Sequence, residues 1–385
     1  MGDLPATTTV MRHISTALLA TALASVAPFA VAQAQVGVEQ IIAQQVEAIL
    51  PGNGAGGVAV AAGVDGRTSL FNYGAADLAR NRPVTSDSIF NLASVGKLFA
   101  TTLLAQAVKQ GELKLDDPIA TYVTELQQGG DIRRVTFGQL VSHTSGLPRV
   151  PENYERWHRG KYTFPDFVRF LNAWTADKDH APGQQDLYSN AGMVLLRVAL
   201  ERRFKTPFAT LMQQRLTGPL EMSSTALPLP RALIPRAVQG YGPAGRPIGQ
   251  PGDEQGTFDW PGAGQFYSSP RDMAVFLAAN LGELPDQQPL EAAMAFAQQG
   301  VFKVSARFTQ ALAWQIVSGG NLTIVDKNGG LSNTSTYIGL LPQAKIGIVI
   351  FSNRGRQGAT KVGRAILHAL AQETAEPSGE GAEPD

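Results

Sequence analysis

The chain has 385 residues, 44% of them hydrophobic and 17% charged, an ordinary composition for a globular protein of one large domain or two. Its 32 basic residues balance 32 acidic ones and form no Lys/Arg runs, so nothing steers it toward nucleic acid or an anionic membrane. It has no cysteine, which excludes disulfides, thiolate catalysis, Cys-ligated zinc and iron–sulfur clusters.

In chain order, the first feature is Arg12-His13, followed by an apolar stretch over 14–31 and then Ala32-Gln33-Ala34. Positive charge, apolar run and small-x-small site in that order predict a secretory signal over 1–34, cleaved before Gln35, and a periplasmic or secreted product. The alternative is a membrane anchor, because the run approaches the ~20 residues that span a bilayer. Pro28, several Ser/Thr residues and the Ala-Gln-Ala site weigh against it. The ten residues before Met11 are unusual for a signal, which makes Met11 a candidate start. No later apolar run approaches spanning length, so no stable membrane insertion is expected after cleavage.

Helical spacing over 38–50, stopped by Pro51, predicts a first helix. Apolar runs at 58–64 and 68–75 flank Asp65-Gly66, a hairpin turn signal. A helix begins near Ser94 and runs to about Gln110, ended by Gly111. From about 115 to 290 the pattern is helical pieces broken by Pro- and Gly-rich loops. Strand-like runs return at 322–327, 334–341 and 346–352, and an amphipathic helix follows over 359–372. The terminal strands therefore pair in one sheet, and the helical middle is an insertion beside it with the site at the seam. This is an α/β (α+β) fold: an antiparallel sheet flanked by helices, with a large mainly helical insertion. One catalytic domain spans 35–372, its α/β part being about 38–90 and 300–372 and its helical part about 115–290. The acidic, Pro-containing tail at 373–385 is expected to be disordered.

Three short motifs carry chemistry. Ser94-Val95-Gly96-Lys97 is an S-x-x-K tetrad whose i, i+3 spacing puts hydroxyl and amine on one helical face, close enough to share a proton. At a helix start, Ser94 also has backbone N–H groups and positive dipole potential beside it. By itself the tetrad is equally a surface Ser and a solvated Lys. Tyr188-Ser189-Asn190 enters the apolar run 193–200. A tyrosine beside a cation can share its proton below its free pKa of ~10, and Asn190 can position Lys97 or a substrate carbonyl. Taken alone it is a capped helix N-terminus. Lys327-Asn328-Gly329-Gly330 ends one strand before another begins. There, a strand edge can hold a substrate amide, Lys327 supplies charge, and the glycines admit close approach. It is also a sound β-turn sequence.

Each motif is weak, but their order and spacing are not. Together with Leu140-Val141-Ser142-His143-Thr144-Ser145-Gly146-Leu147-Pro148 they resemble the class C β-lactamases and the wider penicillin-recognising serine hydrolases. Phe71-Asn72-Tyr73-Gly74, Gly111-Glu112-Leu113-Lys114-Leu115-Asp116-Asp117-Pro118 and Gly347-Ile348-Val349-Ile350 extend the similarity over about 38–372. The resemblance implies Ser94 as nucleophile, Lys97 and Tyr188 as the proton-transfer pair, and substrate binding by Asn190, Lys327, Asn328, Gly329 and Gly330. It also implies an oxyanion hole from the Ser94 and Gly330 amides, and no metal or organic cofactor. Two positions depart from the family pattern. Asn328 replaces the threonine of Lys-Thr-Gly, and Arg149 stands where a glutamine contacts the acylamino side chain. Both bear on substrate preference more than on acylation.

Other signals lead elsewhere. Gly52-Asn53-Gly54-Ala55-Gly56-Gly57 fits G-x-G-x-x-G but follows a helix and opens a strand, the reverse of a dinucleotide site. Near Leu171-Asn172, Val168 occupies the place of a class A deacylating glutamate. No G-x-S-x-G or H-E-x-x-H is present, and His143 reads as a structural residue of its loop. The leading expectation is a periplasmic serine β-lactamase acting on a small molecule. The alternatives are an esterase or D-amino-acid peptidase on the same scaffold, a penicillin-binding module that acylates without turnover, and a catalytically dead binding protein, against which the intact Ser94, Lys97 and Tyr188 argue.

Overall fold

The computed structural model describes residues 37–152, 154, 162–252, 262–264 and 266–375. The expected signal segment and the tail beyond Ala375 lie outside these residues.

Asp65 and Gly66 both take positive φ, 51° and 74°, as a tight two-residue hairpin turn demands. They join β1 (Gly57–Val64) to β2 (Arg67–Asp77), with Val64 opposite Arg67. On its other side β1 pairs antiparallel with β11 (Ile346–Ser352), Val58 lying opposite Ser352. The two ends of the chain thus close one sheet. Outward from β11 come β10 (Thr334–Leu341), β9 (Leu322–Leu331), β8 (Gln315–Gly319), β7 (Phe308–Gln310) and β6 (Phe302–Ser305), while β3 (Arg82–Pro83) flanks β2. Among the described residues this is a nine-stranded sheet in the order β3-β2-β1-β11-β10-β9-β8-β7-β6, antiparallel throughout.

Strand alternation divides the core between two faces. Val58, Val60, Ile348 and Ile350 point to the face covered by α1 (37–47), through Ile42 and Val46, and by α9 (Ala359–Ala375), through Val362, Ile366 and Leu370. Ala59, Ala61, Val349 and Phe351 point to the opposite face, beneath α7 (Pro270–Leu281) and the larger helical core. That core contains α2 (Lys97–Lys109), α3 (Phe137–Val141), α4 (Phe164–Ala173), α5 (Asn190–Phe204), α6 (Phe208–Met212) and α8 (Gln288–Ala297). Phe99 fastens α2 in place, stacked on Phe276 of α7 at 4.8 Å and on Phe266 at 4.9 Å between ring centroids. Complete burial of such a ring contributes about 2–3 kcal/mol.

The expected fold is the one found, with three local differences. Lys327-Asn328-Gly329-Gly330 is not a turn: it lies inside β9, Lys327 opposite Ile338 and Gly330 opposite Ser335 of β10, and the reversal comes after Leu331. Ser94 sits in a 3₁₀ turn, Ala93–Gly96, and the α-helix starts at Lys97. The last helix continues to Ala375, so residues 373–375, assigned to the disordered tail, are helical. Thr374 Oγ1 donates to the Leu370 carbonyl at 3.0 Å there, and the next helix breaker in the sequence is Pro377.

Candidate active site

The approach to Ser94 is held from two sides. The Ala93 N–H donates to Asn91 Oδ1 at 2.8 Å, and Ala93 takes φ +46°, a left-handed conformation that a non-glycine adopts only under constraint. From β10, Thr336 Oγ1 donates to the Leu92 carbonyl at 2.8 Å. β9 comes closer still. A Cβ on Gly329 would stand 2.4 Å from Thr336 Oγ1, 2.7 Å from Leu92 O and 2.9 Å from Ser94 N, so only glycine fits. Gly329, the first of the two glycines that resemble a turn, is there because its strand runs against the Ser94 backbone; Gly330 stands in open space.

Ser94 Oγ lies 2.7 Å from Tyr188 OH and 3.0 Å from Lys97 Nζ. Lys97 is fully buried, at 0% exposure, and also donates to the Ala263 carbonyl. Burial, reinforced by the nearby Arg149 charge, pushes its pKa down from 10.5 to about 7. A large fraction of this amine is therefore neutral at neutral pH, with a lone pair available to the Ser94 proton.

Tyr188 is positioned by the segment 140–149. Ser189 caps α5, accepting from the Gly192 N–H at 2.8 Å while its hydroxyl donates to the Pro148 carbonyl at 2.8 Å. The Asn190 and Ala191 N–H groups donate to the Arg149 carbonyl at 2.9 and 3.2 Å. The Ser189 N–H donates to His143 Nδ1 at 3.3 Å, and the His143 ring lies 4.5 Å from that of Tyr188. Burial, with the charges of Lys327 and Lys97, holds His143 well below the ordinary imidazole range. It is a neutral wall for the tyrosine.

Alternation along β9 turns Lys327 toward the site and Asp326 away. Lys327 is 1% exposed, its Nζ is 5.2 Å from the centre of the Tyr188 ring, and burial pushes its pKa down. Behind the sheet, Asp326 accepts from Tyr337 OH at 3.0 Å and pairs with Arg364 of α9 at 2.7 Å, which ties the strand to the helix. β8 pairs with β9 only as far as Asp326, so from Lys327 onward the outer edge of β9 has no strand beside it among the described residues. Asn328 and Gly330 are exposed along that edge. Asn190 is 6% exposed with Oδ1 unpartnered, and its side chain makes no hydrogen bond to Lys97.

The structure thus brings Ser94, Lys97, Tyr188, Asn190 and the 327–330 strand to one cleft between sheet and helices. Sequence reasoning missed the Ala263 carbonyl, because a backbone acceptor leaves no trace in residue types. It also missed the half-buried Asp186, whose carboxyl is raised by burial, bonded to Gln310 at 3.0 Å and influenced by Lys327. Its one signal was its place two residues before Tyr188.

A β-lactamase family model matches residues 38–373. The chain belongs to the β-lactamase family. Among relatives of this β-lactamase-family chain, a β-lactamase of Pseudomonas fluorescens is 27% identical over 370 residues, covering 87% of this chain and 99% of that one. A β-lactamase of Escherichia coli strain K12 is 28% identical over 358 residues, covering 82% and 89%. A class C β-lactamase structure superposes with a TM-score of 0.77 at 23% identity, covering 90% and 97%, a likeness of fold. A D-alanine carboxypeptidase from Burkholderia cenocepacia superposes with a TM-score of 0.74 at 27% identity, covering 88% and 99%. This chain is a hydrolase of the β-lactamase family with the fold of the class C β-lactamases.

Proposed function

We propose that this enzyme is exported to the periplasm and hydrolyses the β-lactam amide through an acyl-enzyme on Ser94. The observation that carries the proposal is one hydroxyl, Ser94 Oγ, in hydrogen-bond contact with both Tyr188 OH and a lysine whose pKa is about 7. A serine needs a base to become a nucleophile, and a buried amine with that pKa is neutral often enough to serve. Ser94 Oγ attacks the lactam carbonyl carbon, and its proton passes to Lys97 by way of the Tyr188 hydroxyl. The resulting oxyanion is met by the N–H groups of Ser94 and Gly330. The C–N bond then breaks, and the proton returns through Tyr188 to the leaving nitrogen. Water next attacks the ester, with the same pair taking its proton, and Ser94 is released with its hydroxyl restored. Lys327, Asn328, Gly329 and the open edge of β9 hold the substrate, and Asn190 Oδ1 takes a substrate N–H. The 1–34 sequence supports export.

A second reading, D-amino-acid peptidase, is favoured by the carboxypeptidase among the similar structures. One experiment separates the two: turnover of a chromogenic cephalosporin and of a D-alanyl-D-alanine peptide, with the adduct on Ser94 followed by mass spectrometry. Fast cephalosporin turnover through a transient adduct, absent in Ser94→Ala, is expected. A long-lived lactam adduct beside peptide turnover moves the enzyme to the peptidase reading. Labelling of Ser94→Ala at wild-type stoichiometry would falsify the assignment of the nucleophile.

A further inference from the structure

Three basic side chains surround the Tyr188 ring, and they are not equivalent. Lys97 Nζ lies 5.0 Å from its centre and is buried and bonded; Lys327 Nζ lies at 5.2 Å, buried, with Asp186 and Asp326 acting on it. The third is Arg149, whose guanidinium carbon lies 5.6 Å from the ring centre. Arg149 is exposed and forms no ion pair among the described residues. Its backbone is pinned: the carbonyl takes the Asn190 and Ala191 N–H groups, and the neighbouring Leu147 is fully buried. A solvated surface arginine is commonplace, but this one has a fixed base, an aromatic rest and an unpaired head at the rim of the cleft.

The charges around Tyr188 do not balance. The whole chain carries a formal net charge of zero, yet its cleft sets Lys327 and Arg149, beside the partly protonated Lys97, against the half-buried Asp186, while Asp326 is paired with Arg364 behind the sheet. A cleft of one sign focuses the opposite charge, and two separated cationic positions call for two anionic groups. The walls sort them. Lys327 and Asn328 come from β9, on the sheet side; Arg149 comes from the segment after α3, its carbonyl bonded to the first N–H groups of α5, on the helical side. If the β9 side holds a carboxylate beside the leaving nitrogen, a second carboxylate belongs to the acyl half. A guanidinium fork matches it with two parallel N–H donors.

We infer that the preferred substrate is dianionic, and that Arg149 selects a carboxylate carried on the acyl side chain. The inference rests on the acyl-transfer function proposed above and names its substrate class. It makes Arg149 a specificity residue, separate from the proton-transfer pair.

The test uses the full enzyme and Arg149→Gln on two matched pairs. One pair is a 7-glutarylamido cephalosporin and its side-chain methyl ester; the other is p-nitrophenyl hydrogen adipate and p-nitrophenyl methyl adipate. The readout is the acid-to-ester ratio of kcat/KM, or of the acylation rate of Ser94 where no turnover follows. One charge-assisted contact at an exposed site predicts that Arg149→Gln lowers this ratio about ten-fold in any pair the enzyme processes, with Arg149→Lys intermediate. A ratio unchanged within about two-fold overturns the inference. So does an equal loss on acid and ester, which would place Arg149 on Lys97 electrostatics alone, with a matching change in the pH profile. Loss of all cephalosporin activity with the ratio effect intact on the adipates counts against the lactam reading and leaves the inference standing.

Discussion

Replacing Lys97 with methionine should inactivate the enzyme and stabilise it. The side chain is fully buried, and its pKa falls from 10.5 to about 7 on folding. Each factor of ten corresponds to about 1.4 kcal/mol, so at pH 7 burying this amine costs the folded state about 4–5 kcal/mol relative to an isosteric apolar residue. Methionine matches the lysine stem in length but abandons the Ala263 carbonyl, a buried acceptor whose orphaning costs about 1–3 kcal/mol. The net gain expected at pH 7 is about 1–3 kcal/mol. The sign fixes the pH window. Between pH 7 and 10.5 the unfolded chain holds a proton on Lys97 that the folded chain has released, so wild-type stability rises with pH there. The methionine variant lacks that contribution, so its advantage should vanish at about pH 9 and become a deficit of up to about 2 kcal/mol by about pH 10, where the orphaned carbonyl dominates. Urea unfolding of both proteins at pH 7 and pH 10 measures the difference directly. A variant less stable than wild type at pH 7, by an amount independent of pH, would refute the reasoning. In the wild type the same pKa predicts that kcat/KM falls below about pH 7, as the lone pair is lost to a proton.

Two further perturbations follow from β9. Gly329→Ala drives a Cβ to 2.7 Å from Leu92 O and 2.9 Å from Ser94 N, so the turn carrying the nucleophile must move. We expect a loss of about 1–3 kcal/mol in stability and about a hundred-fold in kcat; wild-type values of both would show that the strand does not brace Ser94. Asn328→Ala removes an exposed amide facing the open strand edge, and kcat/KM for a carboxylate-bearing cephalosporin should drop about ten- to a hundred-fold. Asn328→Thr should keep or raise it. Equal losses from the alanine variant on a neutral p-nitrophenyl ester would mean that Asn328 only keeps the strand in shape.

Much of the fold was legible because its signals are local. Asp65-Gly66 between two apolar runs names a hairpin; 346–352 reads as a strand because nearly every position is apolar, and 334–341 because β-branched and aromatic residues lead into an apolar run. β6, β7 and β8 were missed: each has at most five residues, and Phe302–Ser305 is mostly exposed, so no period is established. Gly329 misled for a sound reason. Glycine signals a turn because it has no Cβ, and the same property admits a strand against the Ser94 amide. The cleft was legible as residue types but not as distances, since Ser94, Tyr188 and Lys327 lie on three remote segments. The pairing of β1 with β11 and of β10 with β9, with the docking of the segment 140–149 on the start of α5, brings them together.

That assembly explains why the site can hold groups that would be unfavourable elsewhere. Ala93 and His143 sit at positive φ, Lys97 and Lys327 are buried amines, and Asn190 Oδ1 and His143 Nε2 are buried without partners. Each of the backbone strains costs about 1–3 kcal/mol, and each unmet polar atom a similar amount. None of these groups contributes to either hydrophobic core, and all lie within the seam where sheet and helices meet. The stabilising burial surrounds it: Leu92, Val95, Leu147, Ala191 and Ala263 belong to the large helical core, and the α1–α9 layer backs the sheet. Apolar burial around these groups lets the seam retain a lysine with pKa about 7, an open strand edge and an unpaired arginine. Substitutions that relieve the seam should therefore raise stability while lowering turnover, and Lys97→Met is the sharpest case, because the depressed pKa that makes Lys97 a base is the same quantity that destabilises the fold.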